Sequence, residues 1–358
     1  MLPREPPFVT ARLGSRARMT HLRPQPREHA PGTLAPAILH PMSPIPLLQG
    51  AAIFLVSSSS LVAAEWSSDY TAARKQAAAE KKDLLIDFTG SDWCAWCIKL
   101  RKEVFAQPSF AEGTKDRYVL VELDYPKDKT GLPVAVVKQN EELLKKYPIK
   151  GYPSILLCDA GGRPFAVTGY QAGGPGNYLK HLDGLQARKA KRDEGLSAAA
   201  GKTGVEKARQ LVAVLDALEL DPPMMREWYA DVCSQIKEAD PADETGFAKR
   251  EAAEIKFAGF MTKLLELRTK QDLEGVAGLV DATLADPAMQ GELRIPIYGH
   301  YAGTLAYADK KDEAIAVLRK GIAEDPGRPG AKELQEFIAI LEREKAGLPP
   351  VAPARTEE

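Results

Sequence analysis

The sequence predicts a mixed α/β domain followed by an all-helical domain, and three observations indicate this order. A buried strand at residues 84–88 runs directly into a helix that begins with the Cys94-Ala95-Trp96-Cys97 motif. Apolar strands and amphipathic helices then alternate up to about residue 185. Beyond residue 202 apolar residues recur at helical spacing, without a strand pattern.

The elements predicted for the first domain follow the order βαβα, then a hairpin and a closing helix. They are a helix at residues 70–82, the strand at 84–88, the helix that starts at Cys94, a strand at 118–124, a helix at 134–147, a strand ending at Cys158, its hairpin partner at 165–169 and a helix at 177–185. Largely apolar strands are expected in a sheet that is covered on both faces. This order predicts a mixed central sheet flanked by helices.

The composition excludes some functional classes. The chain has 358 residues, enough for two domains, with 48 basic and 49 acidic side chains. Because a nucleic-acid partner requires a basic excess, none is expected. Four cysteines are too few for a disulfide-stapled scaffold. Cys158 and Cys233 lie in apolar patterns and are predicted to be core residues.

The N-terminal region predicts export to the periplasm or secretion. Residues 1–41 are rich in Pro, Arg and His and are predicted to be disordered, or to precede the true start. Residues 42–64 are apolar with a serine run and small residues before Glu65, which is typical of a cleaved signal peptide. The alternative is an uncleaved membrane anchor, so a membrane association is expected only in that case.

Two cysteines separated by two residues stand at the predicted start of a helix. One helical turn brings the sulfur atoms of Cys94 and Cys97 close enough for a disulfide to form and reopen. The free backbone N–H groups and the dipole at a helix N-terminus favour the thiolate, which is the reactive form. The alternative is half of a zinc site, which needs about four ligands. No second CxxC pair exists and no His lies between Trp66 and His181, so the pattern favours redox chemistry.

The motif has the surroundings of a known family. Trp93-Cys94-Ala95-Trp96-Cys97 matches the WCxxC signature of the thioredoxin superfamily, and Ile86-Asp87-Phe88 matches the strand that carries its buried acid. Gly151-Tyr152-Pro153-Ser154 matches its proline loop. Because these features occur in the family's order, the first domain resembles a thioredoxin-like domain, most of all those of exported bacterial proteins. The resemblance implies a thioredoxin fold over roughly a third of the chain.

The resemblance also implies a role for each matching residue. Cys94 is expected to be the exposed nucleophile that forms a mixed disulfide, which Cys97 then resolves. Pro153 is expected to be a cis-proline that abuts the CxxC pair, with a plain strand-start proline as the alternative. The backbone of Tyr152 is expected to pair with an extended substrate. Asp87 is expected to be the buried acid that assists proton transfer at Cys97.

The sequence departs from the family around the motif. One extra residue separates Asp87 from the CxxC pair, and Glu122 stands where the family often has Lys. The sequence therefore leaves open whether Asp87 accepts the proton of Cys97. Asp92 is a second candidate acid, with an ordinary solvated acid as the alternative. Trp96 replaces the usual Pro, Gly or His and adds no positive charge. Trp93 and Trp96 are candidates for substrate contact, although Trp93 also suits packing beside the helix.

The second half of the chain is predicted to be helical. Residues 188–201 are rich in charge, Ala and Gly and are predicted to link the first domain (65–187) to the second (202–347). Residues 305–316 resemble a tetratricopeptide helical hairpin. A plain helical bundle is the alternative, because a solenoid needs about three repeats. Residues 348–358 are predicted to be a disordered tail.

These features predict a thiol–disulfide oxidoreductase in an extracytoplasmic compartment, with the Cys94–Cys97 pair as its redox centre and neither an organic cofactor nor a metal. Protein thiols and disulfides are the expected substrates, and a redox partner is needed to recycle the cysteines. The helical domain is expected, by fold analogy, to bind or orient a protein partner. The alternative is a protein-interaction module in which the helical domain is the working part and the thioredoxin-like domain is a scaffold.

Overall fold

The computed structural model describes residues 64–324 and 326–348. The predicted start at residues 1–41, the predicted signal segment up to residue 63 and the predicted tail beyond Leu348 lie outside the described residues. In the two described ranges, no helix is long and apolar enough to cross a lipid bilayer.

A five-stranded mixed sheet forms the centre of the first domain. Its strands are β1 (Trp66–Ser67), β2 (Asp83–Thr89), β3 (Tyr118–Asp124), β4 (Ser154–Cys158) and β5 (Pro164–Thr168). The order across the sheet is β1-β3-β2-β4-β5; β3 is parallel to β1 and β2, and β4 is antiparallel to β2 and β5. The predicted mixed sheet is confirmed. The structure adds β1, whose two residues are too few to produce an alternating pattern.

Three of the five helices of this domain begin and end close to their predicted limits, α3 was not predicted, and α5 is longer than predicted. The five helices are α1 (Tyr70–Glu80), α2 (Ala95–Leu100), α3 (Pro108–Thr114), α4 (Val134–Lys146) and α5 (Gly174–Ala200). Helix α2 continues into a π-helical turn at Arg101–Phe105. A single π-helical turn within a helix often marks a functional site.

The predicted linker is helical. Residues 188–200 form the second half of α5, and the chain leaves the helix only at Gly201. Ala, Lys, Arg and Glu make a segment look solvated, but they are also strong helix formers, so composition alone does not separate the two states. Arg192, Gly195 and Ala199 are buried on this half of the helix. The limits of the two domains stay a prediction.

The hydrophobic core of the sheet continues into the next three helices, α6 (Gly204–Leu218), α7 (Pro222–Trp228) and α8 (Ala230–Ala239). One cluster of buried side chains extends from Tyr70 to Phe247. Across it, the hydroxyl of Tyr229 donates to the carbonyl of Pro164 at 2.8 Å, and the guanidinium of Arg192 pairs with Asp159 at 3.0 Å. Buried polar groups on α5, on the chain between α7 and α8, and on the sheet therefore satisfy one another.

The remaining helices are α9 (Phe247–Thr269), α10 (Leu273–Ala285), α11 (Arg294–Tyr307), α12 (Lys311–Glu324) and α13 (Pro329–Lys345). They pack around two further hydrophobic clusters. The predicted all-helical second half is confirmed. Helices α11 and α12 are joined by a short turn in which Asp309 adopts a left-handed backbone, so the hairpin at 305–316 exists. A tetratricopeptide repeat stays a prediction.

Candidate active site

The CxxC motif lies where strand β2 gives way to helix α2. The turn between them is tight, because the carbonyl of Gly90 accepts the amide of Cys94 at 2.9 Å. A Cβ atom at Gly90 would lie 2.5 Å from the indole of Trp93, so a larger residue there would have to displace this ring. Cys94 is the N-cap of α2, with an extended backbone, and its sulfur accepts the amide of Cys97 at 3.2 Å. A free N–H of the first helical turn therefore points at the sulfur.

Cys94 and Cys97 are joined by a disulfide, with their Cα atoms 5.2 Å apart. Cys94 was expected to be exposed, but in the structure it is buried and keeps only 6% of its accessible surface. Its side chain folds back over the first turn of α2, where it contacts the amide of Cys97. The neighbouring Trp93 and Trp96 are 40% and 56% exposed. The sulfur is thus recessed beside two protruding indole rings.

The loop before Cys94 is anchored to the loop after β3. The amide and hydroxyl of Ser91 donate to Asp124 at 2.9 and 2.6 Å, and the indole N–H of Trp93 donates to the carbonyl of Tyr125 at 2.8 Å. Asp92 accepts the amides of Lys127 and Asp128, and these hydrogen bonds hold its pKa below the usual range. Asp92, the second candidate acid, is therefore an exposed anchor for this loop.

Asp87 is a buried acid on the central strand. It pairs in register with Glu122 on β3 and with Ile155 on β4, and it is 4% exposed. Its Oδ1 accepts no hydrogen bond from the described residues. Burial raises the pKa of Asp87 to about 7; the positive charge of Arg101 opposes this rise, and Asp124 adds to it.

Arg101 supplies a positive charge that sequence reasoning missed. It begins the π-helical turn after α2 and forms an ion pair with Glu122, the register neighbour of Asp87. Glu122 stands where the family often has Lys. The positive charge near Asp87 therefore comes from a residue of the helix and not from a residue of the sheet. The sequence did contain a signal for this contact: Arg101 follows Cys97 by four residues, which places it one helical turn further along the same face.

The predicted proline loop lies against the motif. The Tyr152–Pro153 peptide bond is cis, as predicted. The ring of Tyr152 contacts Trp93 edge-on, with centroids 5.3 Å apart, and lies 5.6 Å from the ring of Tyr125. A Cβ atom at Gly169 would approach the carbonyl of Pro153 to 3.2 Å, so the loop after β5 borders the same place.

A second aromatic cluster borders the motif at Trp96. The rings of Trp96 and Tyr170 lie 5.2 Å apart, and the ammonium of Lys99 is within 5.2 Å of one ring and 4.9 Å of the other. The hydroxyl of Tyr170 donates to Glu103 at 2.6 Å. These contacts tie α2 to the loop after β5 and leave the indole of Trp96 exposed. Tyr170 was not predicted as part of the site, because it lies more than 70 residues along the chain from Trp96.

The other two cysteines are buried, as predicted. Burial raises the pKa of Cys158 well above its ordinary value and also raises that of Cys233, which disfavours the thiolate. In the described part of the chain, no group of three or more His, Cys, Asp or Glu side chains could hold a metal ion.

Comparison with known proteins agrees with this geometry. The thioredoxin-like domain family matches residues 70–185. The disulfide bond reductase DsbH of Chlamydia pneumoniae is 32% identical over 118 residues, which are 33% of this chain and 70% of that protein. The chain belongs to the thioredoxin-like family. A second relative, the thioredoxin-related protein DsbJ of the same organism, is 32% identical over 112 residues, or 31% of each protein.

Among solved structures, a DsbH oxidoreductase is 28% identical and is covered over 85% of its length, against 35% of this chain, with a TM-score of 0.33. The predicted family and the predicted class, a thioredoxin-like disulfide oxidoreductase, are confirmed by the sequence relatives. These matches each cover about a third of this chain. The role of each residue in the thioredoxin-like site stays a prediction.

Replacing Asp87 by Asn is expected to stabilise the protein at alkaline pH. In the folded protein the carboxyl keeps its proton up to about pH 7, whereas in the unfolded chain it loses it near pH 3.9. The unfolded state therefore binds fewer protons in this interval, and the wild type loses stability relative to Asp87→Asn as the pH rises. Denaturant unfolding should show a difference near zero at about pH 4 that grows to about 2–4 kcal/mol at about pH 8.

Asp92→Asn is the matched control, because the pKa of Asp92 is shifted in the opposite direction. It should bring no gain in stability at any pH. A constant difference between Asp87→Asn and the wild type across this range would contradict a raised pKa at Asp87.

Proposed function

We propose that this protein exchanges disulfides with protein substrates in an extracytoplasmic compartment, through Cys94 and Cys97. The observation that carries the proposal is the Cys94–Cys97 disulfide at the N-terminus of α2, in a site that also holds the Tyr152–Pro153 loop and has a buried acid on the preceding strand. Family membership supports the reaction class. No other redox group is required, since the two sulfur atoms carry both electrons.

The exchange proceeds in two steps. In the reduced protein, the Cys94 thiolate attacks one sulfur of a substrate disulfide, and the substrate S–S bond breaks as the Cys94–substrate bond forms. The departing substrate thiolate takes up a proton. Cys97 then loses its proton and attacks the Cys94 sulfur, which closes the Cys94–Cys97 bond and releases the second substrate thiol. The substrate is reduced by two electrons and the protein is oxidised. A recycling dithiol partner then reduces the Cys94–Cys97 disulfide again and is itself oxidised. Oxidation of a dithiol substrate follows the same two steps in the opposite order.

Each step has a group that assists it. The amide of Cys97 donates to the Cys94 sulfur at the helix N-terminus, and such a donor stabilises the thiolate that begins the reaction. Asp87 is proposed to accept the proton of Cys97. A carboxylate whose pKa lies at about 7 is partly ionised near neutrality, which is the condition for an efficient general base.

The aromatic side chains around the motif are proposed to bind substrate. Trp93 and Tyr152 form one contact beside Cys94, and Trp96 with Tyr170 forms another. Trp96 is the most exposed of these indoles, and exposed aromatic clusters typically mark interaction sites. The backbone of Tyr152 is proposed to pair with an extended segment of the substrate, as the resemblance implies. A binding role of the helical region stays a prediction.

Replacing Cys97 by Ala is expected to trap a mixed disulfide between Cys94 and a substrate, because the sulfur that resolves it is missing. Non-reducing electrophoresis of extracts from cells that express Cys97→Ala should show thiol-sensitive adducts, and mass spectrometry should map them to Cys94. The matched control is Cys94→Ala, which keeps Cys97.

Equal adducts in both variants, or none in either, would contradict the proposed order of attack. A wild-type disulfide that stays closed in excess thiol would instead favour the interaction module.

Replacing Trp96 by Ala is expected to weaken the binding of protein substrates more than it slows thiol–disulfide exchange. An aromatic contact is worth about 0.5–1.5 kcal/mol, so kcat/KM for reduction of insulin disulfides should fall by about two- to thirteenfold. The value for hydroxyethyl disulfide, which is too small to span the cluster, should change less. Tyr307→Ala, which removes a more exposed ring from α11, is the control. A parallel loss with both disulfides would assign Trp96 to the reactivity of the cysteines instead.

Export is proposed from the segment at residues 42–64. The protein recovered from cells that carry the full sequence is expected to begin at Glu65, because small residues precede that position. Mass spectrometry of the N-terminus measures this, and Ala64→Arg should block the cleavage. A membrane-bound product that retains the segment would support the anchor, and an uncleaved product in the cytoplasm would contradict export.

A further inference from the structure

The loop that carries Tyr152 and Pro153 also contacts the helical region. It comprises residues 147–153, between α4 and β4, and is called here the substrate loop. Its last residues lie against the active-site motif, where Tyr152 contacts Trp93. Its first residues lie against residues 221–229, called here the α7 segment, which includes helix α7.

The first contact is a stack at the base of the loop. The indole of Trp228 lies on the ring of Tyr147, with centroids 4.6 Å apart and an interplanar angle of 23°. Its N–H donates to the carbonyl of Lys146 at 3.0 Å, one of the carbonyls that α4 leaves unpaired at its end. Tyr147 is fully buried, and its hydroxyl donates to the carbonyl of Gly162 at 2.7 Å. The point where the chain leaves α4 is therefore fixed by the sheet and by the α7 segment.

The second contact is an ion pair between the loop and the α7 segment. The ammonium of Lys150 lies 2.5 Å from a carboxylate oxygen of Asp221, and Lys150 is three residues before Pro153. Asp221 directly precedes Pro222, the first residue of α7. Because proline restricts the backbone of the residue before it, the carboxylate is presented from a stiff position.

The α7 segment is itself held firmly. The side chain of Met224 is buried in the shared core, and Tyr229 donates to the carbonyl of Pro164 from a fully buried position. The guanidinium of Arg163 lies 4.0 Å from the centre of the Tyr229 ring. A segment with these contacts on the sheet can hold a loop in place, since it has little freedom to move with it.

We propose that the α7 segment is a positioning element, which fixes the substrate loop so that its backbone can pair with an extended protein substrate. This inference rests on the proposed function. It gives the helical region a role in substrate binding without any direct contact between that region and the reacting sulfur atoms. A protein substrate depends on the position of the loop, whereas a small disulfide needs only the Cys94 sulfur.

The test uses the full chain with two substitutions that keep side-chain size or aromatic character. Asp221→Asn removes the charge that faces Lys150, and Trp228→Phe keeps a stacking ring but removes the indole N–H. Asp216→Asn is the matched control, because Asp216 forms an ion pair of similar exposure with Arg250, away from the loop. Three quantities are measured: kcat and KM for insulin disulfides, the rate with hydroxyethyl disulfide, and hydrogen exchange of the loop amides by mass spectrometry.

In Asp221→Asn and Trp228→Phe, KM for insulin is expected to rise by about two- to fivefold, as follows from the usual strength of an exposed ion pair or a single hydrogen bond. kcat and the rate with hydroxyethyl disulfide should stay within about twofold of the wild type, which is the signature of lost binding rather than lost chemistry. The amides of Tyr147 and Ile149, which donate to the carbonyls of Leu143 and Tyr147, should exchange faster, and Asp216→Asn should change none of these quantities.

Unchanged exchange of these amides in both variants overturns the proposal, whatever the activity. So does a loss that is equal for insulin and for hydroxyethyl disulfide, because that assigns the α7 segment to general stability. A wild type that reduces neither probe refutes the proposed function instead, and the hydrogen-exchange result still decides whether the α7 segment holds the loop.

Discussion

The burial of strand β2 is the constraint on which the active site depends. All seven of its residues are buried between β3 and β4, so the carboxyl of Asp87 is removed from water and its pKa rises. The chain leaves this strand at Thr89 and reaches Cys94, the N-cap of α2, only five residues later. Asp87 and the cysteine pair therefore lie on consecutive segments of the chain, and the packing of β2 in the sheet fixes the position of both.

Burial is the main cause of the raised pKa of Asp87, and charges on neighbouring elements modify it. Glu122 lies beside Asp87 on β3, and Asp124 lies two residues further along the same strand. Arg101 pairs with Glu122 from the π-helical turn, and its positive charge lowers the pKa of Asp87 whereas Asp124 raises it. This arrangement leaves Asp87 able to change its charge near neutrality, which a fully compensated carboxylate does not do.

Local patterns in the sequence predict most of this site, whereas contacts between distant segments escape them. The strand that holds Asp87, the helix start at Cys94 and the cis bond at Pro153 each follow from neighbouring residues or from the family's motif. Tyr170 and the α7 segment join the site only through tertiary packing, and no spacing in the sequence indicates it. The helix at 188–200 was missed for another reason: a charged, alanine-rich segment is compatible with both a solvated coil and a helix, and burial of residues such as Arg192 decides between them.

The continuous core from Tyr70 to Phe247 has a consequence for how this chain could have been assembled. Helix α5 crosses the end of the family match at residue 185 without interruption. A genetic exchange at that boundary would cut a helix in two and uncover the apolar face shared with α6. The redox module and the first three helices after it are therefore expected to be inherited together, as a single unit of recombination.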